Sequence, residues 1–338
     1  MAIPSSLPSP SETLHDWHAA MRSAVRDSQE LKRRLGLGDR LSRDEQSAAE
    51  SFPVFAPLEF IARMRYGDPD DPLLRQVLAA EQELHPVAGF VSDPVGDEAA
   101  RLSPGLLRKY DGRALLIATG TCAIHCRYCF RRHYPYGEGP KSTAQWDAAI
   151  DLLREDHRIE EVLLSGGDPL TLVDTQLAEL IDRIEAVPHV RRLRLHTRLP
   201  VVIPQRVTAA LIERLRDSPL TSIVVIHANH AAELDEAVRR AVARFVQNGV
   251  TVLNQSVLLR GVNDSAPALI ALSRRLLEMQ VLPYYLHQLD RVDGAAHFEV
   301  PIAEGIELVH AMRAHLPGYG VPRYVQEIPG EPCKRVLA

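Results

Sequence analysis

From Arg113 onward, short β-branched apolar runs alternate with amphipathic helical stretches, and this rhythm constrains the fold of the 338-residue chain more than any other feature. The runs are Ala114–Ala118, Glu161–Leu164, Leu193–Leu195, Ser222–Ile226, Val250–Leu253 and Leu282–Leu286. Helical patterns lie between them at Ala144–Glu155, Thr175–Glu185, Thr208–Arg216, Ala232–Gln247 and Ala266–Met279. After the first run the others return at intervals of roughly thirty residues, the length of one βα unit. Such alternation winds strands in parallel and lays helices over them. The expected fold is therefore α/β, a partial (βα)6 TIM-like barrel over residues 106–338 that ends in a strand at Arg323–Ile328. A doubly wound open sheet is the alternative. Residues 1–105 read as a helical N-terminal extension packed on the barrel. Its helical patterns are Ser11–Leu35, Arg43–Ser51, Pro57–Tyr66 and Pro72–Ala80, with turns such as Gly67–Pro72 between them.

In parallel α/β folds, ligands bind beyond the carboxyl ends of the strands. Here every strand end carries polar residues: Ser165-Gly166-Gly167-Asp168, His196-Thr197-Arg198, His227, Asn254-Gln255-Ser256, and Gln288 through Asp290. The first strand runs into Cys122-Ala-Ile-His-Cys126-Arg-Tyr-Cys129, which holds three of the four cysteines of the chain. A closed structural zinc or iron–sulfur site takes four ligands. Three thiolates on a four-iron cluster leave one iron open to bind a reactant. The same cysteines could instead form a zinc site completed by His125 or His133. Paired glycines after a strand let backbone approach a ligand closely, and Asp168 can accept from an ammonium group.

Composition narrows the class. Hydrophobic residues make up 46% and charged residues 25%, as in an ordinary globular enzyme. The net charge of −5 gives no electrostatic footprint for nucleic acid or an anionic membrane. No apolar run approaches the ~20 residues that span a bilayer. The N-terminus lacks the basic start and apolar stretch of a signal peptide. Free thiols at metal-ligand spacing point to a reducing, cytoplasmic compartment.

The cysteine spacing, with Tyr128 and Phe130 around its last member, resembles the signature loop of the radical S-adenosylmethionine (SAM) superfamily. Ser165-Gly-Gly-Asp168 resembles the element that holds the amino group of SAM there. Further blocks narrow the resemblance to lysine 2,3-aminomutases: Cys126–His133, Ser165–Leu170, Thr197–Pro204, Asn254–Asp264 and Pro283–Leu286. More narrowly, the chain is similar to the short branch supplying (R)-β-lysine for modification of bacterial elongation factor P, since it stops four residues after Lys334. Longer catabolic members continue into a C-terminal extension. A catabolic aminomutase, a radical SAM enzyme of another kind and a redox-sensing iron–sulfur or zinc module are the competing readings.

The resemblance implies a [4Fe–4S] cluster on Cys122, Cys126 and Cys129, together with SAM and pyridoxal 5′-phosphate. It implies a Schiff base between the last of these and Lys334, although Glu331-Pro332-Cys333 stands where the family shows glycines, and Cys333 is taken as a non-ligand. Contacts to SAM are expected from Ser165, Gly166, Gly167, Asp168, His227 and Gln255. The coenzyme phosphate is expected at Lys109, Tyr110 and Arg113. L-lysine, the implied substrate, would place its carboxylate on Arg131 and its side-chain ammonium between Asp290 and Glu327, the latter where the family usually has Asp. Implied partners are elongation factor P, its lysyl ligase and a flavodoxin- or ferredoxin-type reductant.

Overall fold

The computed structural model describes residues 16–138 and 146–338. The expected helix starts at Ser11 and Ala144 lie outside the described residues. One ten-stranded sheet organises the chain, and its spatial order follows the chain order. Its strands are β1 (Arg101–Ser103), β2 (Leu106–Leu107), β3 (Arg113–Thr119), β4 (Glu161–Gly166), β5 (Arg192–Thr197), β6 (Thr221–His227), β7 (Thr251–Val257), β8 (Leu282–His287), β9 (Arg323–Gln326) and β10 (Arg335–Val336). From β3 to β9 every pairing is parallel, while β1, β2 and β10 are added antiparallel at the two ends. A doubly wound sheet would reverse its strand order at a switch point. This one never reverses, and β1 and β10 do not pair, so it is an open, partial barrel.

Strand alternation separates two environments. Val162, Leu164, Leu193, Leu195, Val224, Ile226 and Val252 are buried in one continuous core against the outer helices. That core includes Leu177, Ile181 and Ile184 of the Asp174–Glu185 helix and Val238, Val242 and Phe245 of Glu236–Gln247. The alternate residues face the barrel interior and are polar toward the carboxyl ends. Register places His227 beside Gln255, Gln255 beside Tyr285, and Val257 beside His287.

The expected first helix of the extension is broken in two, Trp17–Ser23 and Ser28–Arg34. Val25 leaves helical geometry to exchange both backbone hydrogen bonds with Ala56, at 2.8 and 2.9 Å, and Asp27 then caps the second helix. Arg43–Ser51 forms as expected, behind a Ser42/Glu45 capping box. The two later helical patterns shrink to Leu58–Ile61 and a single 3₁₀ turn at Leu74–Gln76. Trp17, Leu31, Phe60 and Leu73 are buried in the same core as the barrel. Among the described residues, the elements that escaped the sequence reading include the β1–β2 hairpin, β10, the short helix Leu199–Val202 and the helix Ile302–Arg313. That helix contains Gly305, which reads as a breaker. A Cβ there would lie 2.3 Å from the Tyr324 hydroxyl, so the glycine serves close packing on β9.

Candidate active site

The cysteine loop leaves β3 and is clamped from below by its own arginines. Arg127 is completely buried and donates to both Glu83 carboxylate oxygens, at 2.8 and 2.5 Å, and to the carbonyls of Phe52 and Ala48. Arg132 adds a 2.9 Å bond to the same carboxylate and one of 3.1 Å to the Arg127 carbonyl. Buried charges persist only when paired in this way. His125 is tied through Nδ1 to the Pro53 carbonyl at 2.7 Å, and His133 through Nε2 to the Asp293 carbonyl at 3.1 Å. Each histidine proposed for a zinc site is therefore engaged by backbone.

Cys122, Cys126 and Cys129 are free thiols, partly exposed, on this one loop. The Cys122 thiol is pushed well up by burial and then by Cys129, Asp168 and Cys126. Cys129 is pushed up to about 11 by burial and then by Cys126. Thiolates crowded in this way are stabilised by a shared cation, which is what an iron cluster would supply. Among the described residues no group of three or more His, Cys, Asp or Glu side chains is already gathered as a metal-ion ligand set. The loop carries all three sulfurs within eight positions, and these are the side chains that would hold the metal.

The end of β4 is laid directly on the backbone leading into that loop. Gly166 has φ +123°, and a Cβ on it would lie 2.5 Å from the Thr119 carbonyl oxygen; on Gly167, a Cβ would lie 2.2 Å from that of Thr121. The glycines are therefore required by backbone-on-backbone packing as well as by any ligand. Asp168 departs from the expectation of an open ammonium acceptor. Its buried carboxylate accepts from Thr197 Oγ1 at 2.7 Å and from the backbone N–H groups of Leu170, Arg198 and Leu199 at 3.0, 2.7 and 3.1 Å. It thereby ties β4 to β5. His227 shares a 2.9 Å hydrogen bond with Tyr128 of the cysteine motif, and burial, followed by Arg198, pushes it down to about 3. Gln255 lies beside His227 in register. His196 Nε2 is buried without a hydrogen-bond partner, and burial pushes that imidazole well below its ordinary value. An orphaned polar atom facing the barrel interior suits a polar ligand there.

The residues expected around the coenzyme and substrate come from distant parts of the chain and meet. Lys334 pairs with Glu327. Glu327 also accepts from the Tyr110 hydroxyl at 2.6 Å, and the Arg113 guanidinium lies over the Tyr110 ring at 4.5 Å. Lys109 sits 3.8 Å from Glu327 and 2.7 Å from Asp97, whose other oxygen takes a 2.6 Å hydrogen bond from Arg131. Arg131 also reaches Ser165 Oγ at 3.3 Å and lines a cleft of about 180 Å³ with Ser92, Asp97, Phe130 and Tyr134. Burial opposes ionisation of Glu327, yet Lys334 and Tyr110 together hold its carboxyl below the usual range. Asp290 is pushed up to about 7, mainly by burial, with Lys334 pulling the other way.

Sequence reasoning missed Asp97, Glu83 and Glu233, all buried acids that pair with cations around the cysteine loop. Spacing carries no signal for them. The arginines they serve, within and just after the cysteine motif and at the end of β5, were the available clue.

Residues 116–272 match the family model described as the radical SAM superfamily. The "L-lysine 2,3-aminomutase" of Escherichia coli (strain K12) is 46% identical over 323 residues, covering 95% of this chain and 94% of that one. Its namesake in Haemophilus influenzae is 42% identical, covering 96% of each chain. The Clostridium subterminale protein of the same name is 34% identical, covering 94% of this chain and 76% of its own. Identity of this extent shows that the chain belongs to the L-lysine 2,3-aminomutase family, isomerases of the radical SAM superfamily with a [4Fe–4S] cluster and SAM.

Proposed function

We propose that this protein converts L-α-lysine into (R)-β-lysine by a 1,2-amino shift that uses pyridoxal 5′-phosphate as well as the cluster and SAM. The observation that carries the reading is a continuous polar chain, Lys334–Glu327–Lys109–Asp97–Arg131, which runs from the C-terminal lysine to the cysteine loop. When bound, the cluster and SAM supply a carbon radical that takes hydrogen from the substrate, and pyridoxal phosphate supplies the π-system across which nitrogen moves.

The side chains divide the remaining work. Cys122, Cys126 and Cys129 hold the metal. Ser165, Gly166, Gly167, His227 and Gln255 line the adjoining SAM position, and Asp168 keeps β4 and β5 in place around it. Lys334 carries the coenzyme, with Lys109, Tyr110 and Arg113 toward its phosphate. Arg131 offers its guanidinium to the amino-acid carboxylate. Glu327, ionised and already accepting an N–H from Lys334, and Asp290 offer two carboxylates to the far ammonium. Both acids are partly buried, which strengthens their attraction for the ammonium over that in open water.

The product would supply the lysyl ligase that modifies elongation factor P, in the cytoplasm, with electrons from a flavodoxin- or ferredoxin-type donor. This rests on the sequence resemblance. Among the described residues no helix is long and apolar enough to cross a membrane. Anaerobic reconstitution with SAM, pyridoxal phosphate, dithionite and L-lysine, followed by chiral separation, is expected to give (R)-β-lysine that the ligase then attaches to elongation factor P. Lysine returned unchanged, or a product the ligase rejects, would overturn the reading.

A further inference from the structure

A buried guanidinium touches one of the cysteine sulfurs directly. Arg198, at the end of β5, donates from Nη1 to Cys126 Sγ at 2.7 Å and to the Tyr128 hydroxyl at 2.8 Å. From Nη2 it donates to Gln76 Oε1 at 2.7 Å and to Glu233 Oε2 at 2.9 Å. The surroundings leave it no freedom. Asn229 donates to the same Gln76 oxygen and the same Tyr128 hydroxyl, at 3.0 and 2.6 Å. Glu233 is fully buried and further fixed by Gln76 Nε2 and the backbone N–H of Asn229, at 3.1 and 2.8 Å. The Arg198 backbone N–H is held by Asp168 at 2.7 Å. Glu233, Gln76 and Tyr128 alone would engage both Nη groups, while Nε is buried without a partner among the described residues. The sulfur is an additional partner, reached only because the fork is aimed at the cysteine loop.

We propose that Arg198 is a positioning residue that sets the one-electron reduction potential of the cluster through its N–H···S bond to Cys126, with Glu233 as its counterweight. The inference rests on the cluster assignment above. Reduction adds one electron, drawn from a low-potential one-electron donor, to a centre already made anionic by thiolates and sulfides. Hydrogen bonds to sulfur and nearby positive charge stabilise that added charge and raise the potential, and they act strongly where water is excluded. The Glu233 carboxylate on the far side of the guanidinium works in the opposite sense. The pair thus balances two requirements: the cluster must accept an electron from its donor, and once reduced it must still be able to pass that electron to SAM.

The test is an EPR-monitored redox titration of reconstituted holoenzyme, with iron and sulfide matched between variants. Arg198→Gln is expected to show a tenfold smaller reduced-to-oxidised ratio at fixed ambient potential, a shift of about 59 mV for a one-electron couple. Arg198→Lys, which keeps the charge, should shift less in the same direction. Glu233→Gln should move the midpoint the opposite way, an outcome that general loosening of the loop does not produce. Midpoints equal to wild type, or all displaced in one direction, would overturn the proposal. Should no variant retain the cluster, pulsed EPR of reduced wild-type protein carrying [15N]arginine decides. Hyperfine coupling to an arginine nitrogen is expected, and its absence refutes the contact. A wild-type protein without iron and sulfide, or indifferent to SAM, defeats the cluster assignment instead; a normal cluster with an unmoved midpoint defeats only this inference.

Discussion

In the proposed lysine site, Asp290 would make substrate binding pH-sensitive. Burial pushes its carboxyl up to about 7, whereas Glu327 stays ionised beside Lys334. The displacement from the ordinary carboxylate range corresponds to ~4 kcal/mol against ionisation. If both carboxylates must be charged to receive the lysine ammonium, the competent fraction falls about tenfold between roughly pH 8 and pH 6, and the apparent affinity falls with it. We therefore expect the KM for L-lysine to rise by that factor on acidification and to level above neutrality, with kcat changing less. Asp290→Asn should abolish this limb and leave KM uniformly high, by about 30-fold, the value of one charge-assisted hydrogen bond. The stability consequence has the opposite sign. A carboxyl with a raised folded-state pKa binds more protons folded than unfolded, so its contribution falls as pH rises from the ordinary carboxylate value through about 7. Asp290→Asn should accordingly melt higher than wild type at about pH 8 without ligand, while binding lysine worse. A KM independent of pH, or an Asp290→Asn profile that keeps the acid limb, would refute the reasoning.

Three further outcomes follow from the geometry. Lys334→Ala should keep the brown colour of the cluster and lose the visible absorbance of lysine-bound pyridoxal phosphate; retained absorbance would remove Lys334 from the mechanism. Glu83→Ala strands two buried guanidinium groups, those of Arg127 and Arg132, and should destabilise the protein by about 3–5 kcal/mol in thermal melts while lowering iron content. Gly167→Ala forces the Thr121 backbone away from a Cβ that would otherwise lie 2.2 Å from its carbonyl oxygen, so iron and SAM binding should fall together in metal analysis and equilibrium dialysis.

The barrel was legible because its strands carry two signals at once, β-branched apolar runs and regular spacing, and β3 through β8 lie where those signals put them. The extension was harder to read. Helical periodicity continues through Val25, but a tertiary pairing with Ala56 overrides it, and no local pattern encodes a partner thirty-one residues away. The cysteine loop stood out from spacing alone. The grouping of Lys334 with Glu327, Tyr110 and Lys109 did not, because those residues are separated by up to 225 positions and only the resemblance joined them. Asp168 shows the limit of motif reading. The motif located the residue at the right strand end, while four hydrogen bonds from neighbouring groups determine what its carboxylate does.

The proposed chemistry requires three thiols of one loop to hold a cluster with one iron open to SAM. The most direct measurement is reductive SAM cleavage by anaerobically reconstituted protein, quantified alongside iron and sulfide and compared with Cys126→Ala. The expected result is a brown protein carrying a four-iron cluster that releases methionine and 5′-deoxyadenosine, with colour and cleavage both lost in Cys126→Ala. A zinc protein, or a cluster that leaves SAM intact, would contradict it.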